Sequence, residues 1–178
     1  MTCFMPTPKR FAAGAAVATA LALSGLASAA ESTYEMISYV ESPSGALVAA
    51  GDYAGAIDVA TKRLRGSSED LLVEHTNLCV AYTATRDYVD ARSSCDAALE
   101  LARAVDASRA RKTFRMDHET AKAMTNRGVL KALTGDVAGA ADDFRKATAM
   151  SAALAAAERN LARIDGAAAG RLAMTEAR

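Results

Sequence analysis

Residues 135–141 read Gly-Asp-Val-Ala-Gly-Ala-Ala, and the same pattern occurs twice more in the chain. Residues 51–57 read Gly-Asp-Tyr-Ala-Gly-Ala-Ile, and residues 86–92 read Arg-Asp-Tyr-Val-Asp-Ala-Arg. Each copy has a turn residue, an aspartate, an apolar residue, two variable residues and an alanine. Because aspartate is a preferred N-cap residue, each copy predicts a turn that is followed at once by a helix.

The residues after each copy keep a helical spacing. Offsets of four and seven from the shared alanine place side chains on one helix face. These positions hold Ala60 and Arg63, Cys95 and Ala98, and Phe144 and Ala147. From Leu71 to Met150, most apolar residues are three and four positions apart, which is the helical period. The sequence therefore predicts an all-α protein.

The pattern resembles the tetratricopeptide repeat (TPR), in which two antiparallel helices are joined by a Gly-Asp turn and touch at small residues. The best-matching residues of the second repeat are Asn77-Leu78-Cys79, Tyr82, Asp87, Tyr88, Ala91 and Ala98. Those of the third repeat are Gly128, Gly135-Asp136, Ala140, Phe144 and Ala147. The resemblance implies helix pairs stacked as a short right-handed superhelix.

The spacing of the repeats contains one insertion. From Gly51 to Arg86 is 35 residues, close to the family period of about 34. From Arg86 to Gly135 is 49 residues. We expect longer helices and a loop within residues 106–118 to share the excess, although a longer loop alone would account for it equally well.

Some positions depart from the family pattern. Pro43 and Gly45 should limit the first helix to about residues 44–50. Arg63 replaces the small residue usual in the second helix of a repeat, and Arg127 and Lys131 stand where the family prefers large apolar residues.

The chain divides into four predicted regions. Residues 1–29 have the features of a cleaved signal peptide: Lys9 and Arg10, an apolar run too short to span a bilayer, and the small residues 27–29. Residues 30–43 form an unassigned extension, and residues 44–165 form a TPR-like domain of about three repeats. A capping helix is expected within residues 152–164. Because Gly166 should end that helix, residues 166–178 are interpreted as a tail.

The signal-peptide features predict an exported protein, either periplasmic or secreted. Without residues 1–29 the chain has 21 − 2 = 19 basic and 21 acidic residues, which gives no electrostatic basis for nucleic-acid binding. No later segment is apolar enough for stable membrane insertion. Cys79 and Cys95 lie at similar distances on either side of the turn at Arg86-Asp87, so a disulfide is predicted. Two free, buried thiols in contact are the alternative.

The TPR resemblance implies a concave groove lined by the first helix of each repeat. Asn77 and Asn126 would hydrogen-bond a peptide backbone there, and Lys122 would attract a carboxylate. The same side chains could instead support the next helix. The groove-facing residues implied by the resemblance are Val73, Thr76, Asn77, Val80, Thr83, Lys122, Thr125, Asn126, Val129 and Leu133.

No motif in the sequence predicts catalysis, a metal site or a cofactor. His75 and His118 are far apart in sequence, and Asp117 is expected to cap the helix that follows it. The adjacent pair Asp142-Asp143 is interpreted as a solvated edge. The leading hypothesis is therefore a protein–protein interaction module that binds an unidentified protein or peptide and is not an enzyme. The alternatives are an oligomeric structural scaffold and, less favoured, an enzyme with an unrecognised site.

Overall fold

The protein is known from a computed structural model that describes residues 34–110 and 117–176, all within one compact unit, Ser32–Arg178. Over these described ranges the regular secondary structure is entirely helical, which confirms the all-α prediction. The predicted signal peptide, residues 1–29, lies outside them. The helices are α1 Pro43–Ala49, α2 Tyr53–Arg63, α3 Ser68–Ala84, α4 Tyr88–Ala110, α5 His118–Leu133, α6 Val137–Met150 and α7 Ala155–Glu176.

The three copies of the repeated motif form the same turn. Gly51, Arg86 and Gly135 all have left-handed backbone conformations, with φ of 78°, 63° and 92°. In each turn the N–H of the next residue donates to the carbonyl five residues before it, at 2.9 Å. This hydrogen bond is the closing bond of a Schellman-type helix end. The donor–acceptor pairs are Asp52 to Leu47, Asp87 to Tyr82, and Asp136 to Lys131.

The aspartate of each motif caps the helix that follows, as predicted. Its carboxylate accepts a hydrogen bond from the backbone N–H three residues later, which satisfies one of the unpaired donors of the first turn. The distances are 2.9 Å for Asp52 and Asp136 and 3.3 Å for Asp87. The same three-residue connection therefore makes α1–α2, α3–α4 and α5–α6 antiparallel pairs.

The pairs pack side by side through small residues. The first helices of the pairs also touch one another in order, α1 on α3 and α3 on α5, and α7 packs on both α5 and α6. Ala56, Ala91 and Ala140, the shared alanines of the three motifs, are fully buried. A Cβ atom added at Gly128 would lie 2.6 Å from Cε1 of Phe144, so α5 and α6 approach too closely there for a side chain.

The insertion lengthens one helix. The second helix α4 has 23 residues and its counterpart α6 has 14, whereas the first helices α3 and α5 have 17 and 16. The prediction that a loop begins near Asp106 is wrong, because α4 continues to Ala110. Residues 111–116 of the predicted loop lie outside the described residues.

The extension of α4 also changes how α5 begins. Asp117 makes no side-chain capping bond, so the capping role predicted for it is wrong. The buried carboxylate of Asp106 instead accepts hydrogen bonds from Thr120 N–H at 2.7 Å and Glu119 N–H at 3.4 Å. The longer helix brings this carboxylate to the N-terminus of α5, where unpaired N–H groups need an acceptor.

The predicted helix end at Gly166 is wrong, because α7 passes through this glycine and continues to Glu176. The boundary assigned to a tail at residue 166 therefore falls inside a helix. Glycine destabilises a helix interior by only about 1 kcal/mol relative to alanine, and the alanines at positions 167–169 are strong helix formers.

Cys79 of α3 and Cys95 of α4 lie at disulfide distance, as predicted. Their Cα atoms are 4.8 Å apart and both side chains are buried. The bond links the two helices of the central pair at matching heights on either side of the turn at Arg86.

Candidate functional site

The N-terminal segment (residues 34–39) is not helical and lies across α3, α5 and α7. Asn160 accepts a hydrogen bond from Glu35 N–H and donates to Glu35 C=O, both at 2.8 Å. Asn126 makes the same pair of bonds with Ile37, at 2.7 and 2.8 Å. Residues 35 and 37 are two apart, which is the period of an extended chain.

A third asparagine continues this pattern. Asn77 accepts a hydrogen bond from Tyr39 N–H at 2.9 Å, again two residues further along the segment. We call Asn77, Asn126 and Asn160 the asparagine row. Each is at most 1% exposed and each lies on a different helix, α3, α5 and α7 respectively. The row therefore contacts the backbone at every second residue, independently of the side chains.

The carboxamide of Asn77 also organises the start of α1. Its Nδ2 donates to Ser42 Oγ and to Ser44 Oγ, both at 2.8 Å. Ser44 Oγ donates in turn to Glu74, which is 2% exposed and pairs with Arg63 Nε at 2.7 Å. Arg63, which departs from the family pattern, is thus the charge partner of a buried carboxylate on α3.

The Tyr39 side chain enters a charged cluster on α5. Its hydroxyl donates to Glu119, and Lys122 Nζ lies 3.2 Å from Glu119 Oε2 and 4.8 Å from the Tyr39 ring centroid. Burial, followed by the hydrogen bond to Glu119, raises the pKa of Tyr39, so the hydroxyl stays protonated. Burial also pushes the pKa of Glu119 upward, but the Tyr39 hydroxyl and the Lys122 charge outweigh burial and lower it.

The other end of the N-terminal segment is held by an arginine fork on α7. Arg159 Nε and Nη2 donate to the two carboxylate oxygens of Glu35 at 2.7 and 2.5 Å, and Arg163 Nη1 lies 3.5 Å away. The hydrogen bond from Arg159 is the main reason that the pKa of Glu35 is lowered. The Arg159 side chain is 54% exposed and that of Glu35 is 35% exposed, so solvent reaches this pair.

Apolar side chains of the segment pack toward the helices. The Tyr34 ring stacks on Phe144, with ring centroids 6.4 Å apart. Met36 packs against three apolar clusters, which contain Val80, Cys79 and Val129 respectively. Tyr34 and Met36 thus share one face of the extended segment, as alternate residues do.

Half of the ten residues predicted for the groove are brought to the N-terminal segment. They are Asn77, Val80, Lys122, Asn126 and Val129.

The other five have different surroundings. Thr83 and Thr125 donate to carbonyls one turn earlier on their own helices, Thr76 is buried, Val73 is half-buried, and Leu133 is 47% exposed. Their roles in binding a partner stay predictions.

Sequence reasoning missed Asn160, Arg159 and Glu35. A signal for the first was present, because Asn126 and Asn160 are 34 residues apart, which is about one family period. Asn77 and Asn126 are 49 residues apart, which repeats the insertion seen between the turn motifs. No signal linked Glu35 to α7, because such a contact depends on the tertiary fold.

The interpretation of Asp142-Asp143 as a solvated edge is wrong for Asp143. Its side chain is 1% exposed and pairs with Arg127 at 2.7 Å and Lys131 at 2.8 Å. These two cations stand where the family prefers apolar residues, and Asp143 supplies the charge that lets them lie against α6. Asp142 forms an exposed pair with Lys146.

Among the described residues, few other side chains are candidates for a chemical role. Within residues 34–110 and 117–176, no group of three or more metal-ligating side chains could hold an ion. His75 Nδ1 is buried and finds no hydrogen-bond partner among the described residues, and burial lowers the pKa of this side chain. In the same ranges, none of the helices combines the length and apolar character needed to cross a membrane.

No family model, curated protein or solved structure matches this chain. The asparagine row and the segment that it holds are therefore the features from which function is inferred.

Proposed function

We propose that this chain is an exported interaction module of the TPR type whose asparagine row holds an extended segment of polypeptide. The observation that carries the proposal is that three buried carboxamides, one each on α3, α5 and α7, bind a backbone at every second residue. Backbone hydrogen bonds give affinity for an extended chain, and neighbouring pockets give selectivity. The chain would thus act as a binding protein and not as an enzyme.

Several features support the TPR part of the proposal. The three turns share one geometry, small residues lie where paired helices touch, and the first helices contact one another in order. Stacking of such pairs as a short right-handed superhelix would place the asparagine row on its concave side, with α7 closing the stack as a cap. Export is supported by the signal-peptide features of residues 1–29 and by the Cys79–Cys95 pair, since disulfides persist in oxidising compartments.

A backbone-methylation scan tests the proposal. The protein is the chain from residue 30 onward with Ile37→Pro, which removes the N–H that donates to Asn126 and so weakens the hold on its own segment. The ligand is a labelled peptide with the sequence of residues 32–41, followed by fluorescence anisotropy.

N-methylation at the peptide positions of Glu35, Ile37 or Tyr39 should weaken binding by about tenfold each, since each loses a backbone hydrogen bond of about 1 kcal/mol or more. Methylation at Met36 or Ser38 is the matched control and should have a much smaller effect. Equal effects in both registers, or no binding by the folded variant, would contradict the proposal.

A further inference from the structure

The N-terminal segment occupies the site that the proposed function assigns to a partner. Residues 34–39 are each half-buried, whereas the three asparagines beneath them are almost completely buried. The segment therefore lies on top of a formed row of hydrogen-bonding groups. Any other extended chain must displace it to reach those groups.

We infer that residues 34–39 are a resident occupant of the groove and that the partner that displaces them is an extended segment with an aromatic–acidic–apolar sequence. This inference rests on the proposed function and adds the chemistry of the partner. It assigns Arg159 and Arg163 as the residues that select the acidic side chain.

Charge complementarity supports the acidic position. Arg159 offers two N–H groups in the fork geometry that matches a carboxylate, and Arg163 reaches the same oxygen that accepts from Arg159 Nε. Without a carboxylate, these two guanidinium groups would stand four residues apart on α7 and repel each other. A neutral or basic side chain at the position of Glu35 is therefore disfavoured.

The residues on either side of Glu35, Tyr34 and Met36, define the aromatic and apolar positions of the partner sequence. The aromatic ring at position 34 stacks on Phe144, whose own side chain is fully buried. The side chain at position 36 packs against three apolar clusters. A partner with an aromatic residue before its acid and a flexible apolar residue after it would reproduce all of these contacts.

The resident segment should be displaceable because its attachment is uneven. At the Glu35 end, solvent reaches the ion pair and can hydrate the released backbone. A resident occupant raises the apparent dissociation constant of a competitor in inverse proportion to the fraction of molecules in which the groove is open. Weakening the segment without altering the groove should therefore tighten binding of an external peptide.

The test measures anisotropy of the labelled peptide with the sequence of residues 32–41 on four forms of the chain from residue 30 onward. These are the wild type, Ile37→Pro, Glu35→Lys, and the control Glu41→Lys, which makes the same charge change at an exposed position outside the segment. Compared with the wild type, Ile37→Pro should bind the peptide about tenfold tighter or more. Glu35→Lys should bind it about threefold tighter than Glu41→Lys does.

A second arm tests the selectivity for acid. On the Ile37→Pro chain, a peptide with glutamine in place of the glutamate at position 35 should bind about threefold more weakly. Adding Arg159→Gln and Arg163→Gln to the chain should abolish that difference. Circular dichroism checks that each variant is folded, and Glu35→Lys serves as the opened form if Ile37→Pro does not fold.

Each contrary outcome identifies what has failed. Equal binding of the glutamate and glutamine peptides overturns the acidic partner while leaving backbone recognition intact. Equal binding by the wild type and Ile37→Pro overturns the resident occupant. Absence of binding by any folded, opened variant overturns the proposed function itself. A wild-type dimer, detected by light scattering, that excess peptide dissociates would show that the occupant is a second copy of the chain.

Discussion

The two ends of the N-terminal segment are held in different ways. At the Tyr39 end, Asn77, Ser44 and Glu74 form a hydrogen-bonded network in which each side chain is at most 2% exposed. At the Glu35 end, Asn160 is equally buried, but the ion pair beside it is exposed to solvent. One end is therefore continuous with the core of the protein, while the other is a surface contact.

This difference indicates how the segment would leave the groove. Removing a hydrogen-bond partner costs much more free energy when the polar group is buried in a network than when water can reach it. The segment should therefore open first at Glu35 and remain attached longest at Tyr39. Under the proposed function, a competing chain would therefore enter beside Arg159 and advance toward Asn77.

The largest expected effect comes from removing the disulfide of α3, the helix that carries Asn77. Cys79 follows Asn77 by two residues on α3, and its bond to Cys95 closes a loop with a sequence separation of 16. The double variant Cys79→Ala, Cys95→Ala should lose about 3 kcal/mol of the free energy of unfolding, because the unfolded chain is no longer constrained. Urea unfolding with and without a reductant measures the change.

The wild type under reducing conditions should shift by a similar amount, whereas the double variant should not respond to the reductant. A wild type that is indifferent to the reductant would mean that the bond contributes nothing to stability.

The second prediction compares the asparagines at the two ends directly. Asn77→Ala should lower the free energy of unfolding by about 2–3 kcal/mol, because Tyr39 N–H and the serine hydroxyls lose a buried partner. Asn160→Ala should lower it by only about 1 kcal/mol, because its bonds to Glu35 are part-buried beside a solvent-exposed ion pair, whereas the bond from Asn77 to Ser44 is fully buried. Urea unfolding of both variants gives the comparison, and Asn126→Ala should fall between them.

Hydrogen exchange at single amides locates each loss. Asn160→Ala should accelerate exchange at the Glu35 amide and leave the Tyr39 amide protected. Asn77→Ala should accelerate exchange at both amides. If both variants lose equal stability, the two ends of the segment are not held differently.

The fold could be predicted from the sequence as far as its local signals extend. The turn residue and the aspartate of each motif act within one helix junction. The turns at Gly51, Arg86 and Gly135 therefore predicted three helix pairs correctly. The end of α7 was placed wrongly because a glycine was interpreted as a stop signal, although the alanines after Gly166 favour continuation of the helix.

The candidate site was only partly predictable, for a physical reason. Asn77 and Asn126 could be predicted to face the same side because both follow the repeated helical spacing. The segment that they bind could not, because residues 34–39 carry no periodic signal and their place depends on contacts as distant as Glu35 with Asn160, 125 residues apart. Similarly, the sequence alone predicts that Asp143 is half of an exposed pair, because only the fold brings Arg127 and Lys131 to it.

The smallest expected effect separates the two ends by their response to acid and salt. The pKa values of Glu35 and Glu119 both lie below the ordinary 4.5 in the folded protein. Their stabilisation is thus fully present above about pH 4.5 and lost as the pH falls through the lowered values. At Glu35, where the pair with Arg159 is exposed, about 1 M salt should screen it and reduce its share of the acid response. Glu119, whose side chain is 11% exposed, should keep its share of the acid response at high salt.

Urea midpoints from about pH 6 to about pH 3 should therefore show that Glu35→Gln flattens the pH response only at low salt, whereas Glu119→Gln flattens it at both salt concentrations. A salt effect of equal size in the two variants would mean that solvent reaches the Tyr39 end as readily as the Glu35 end.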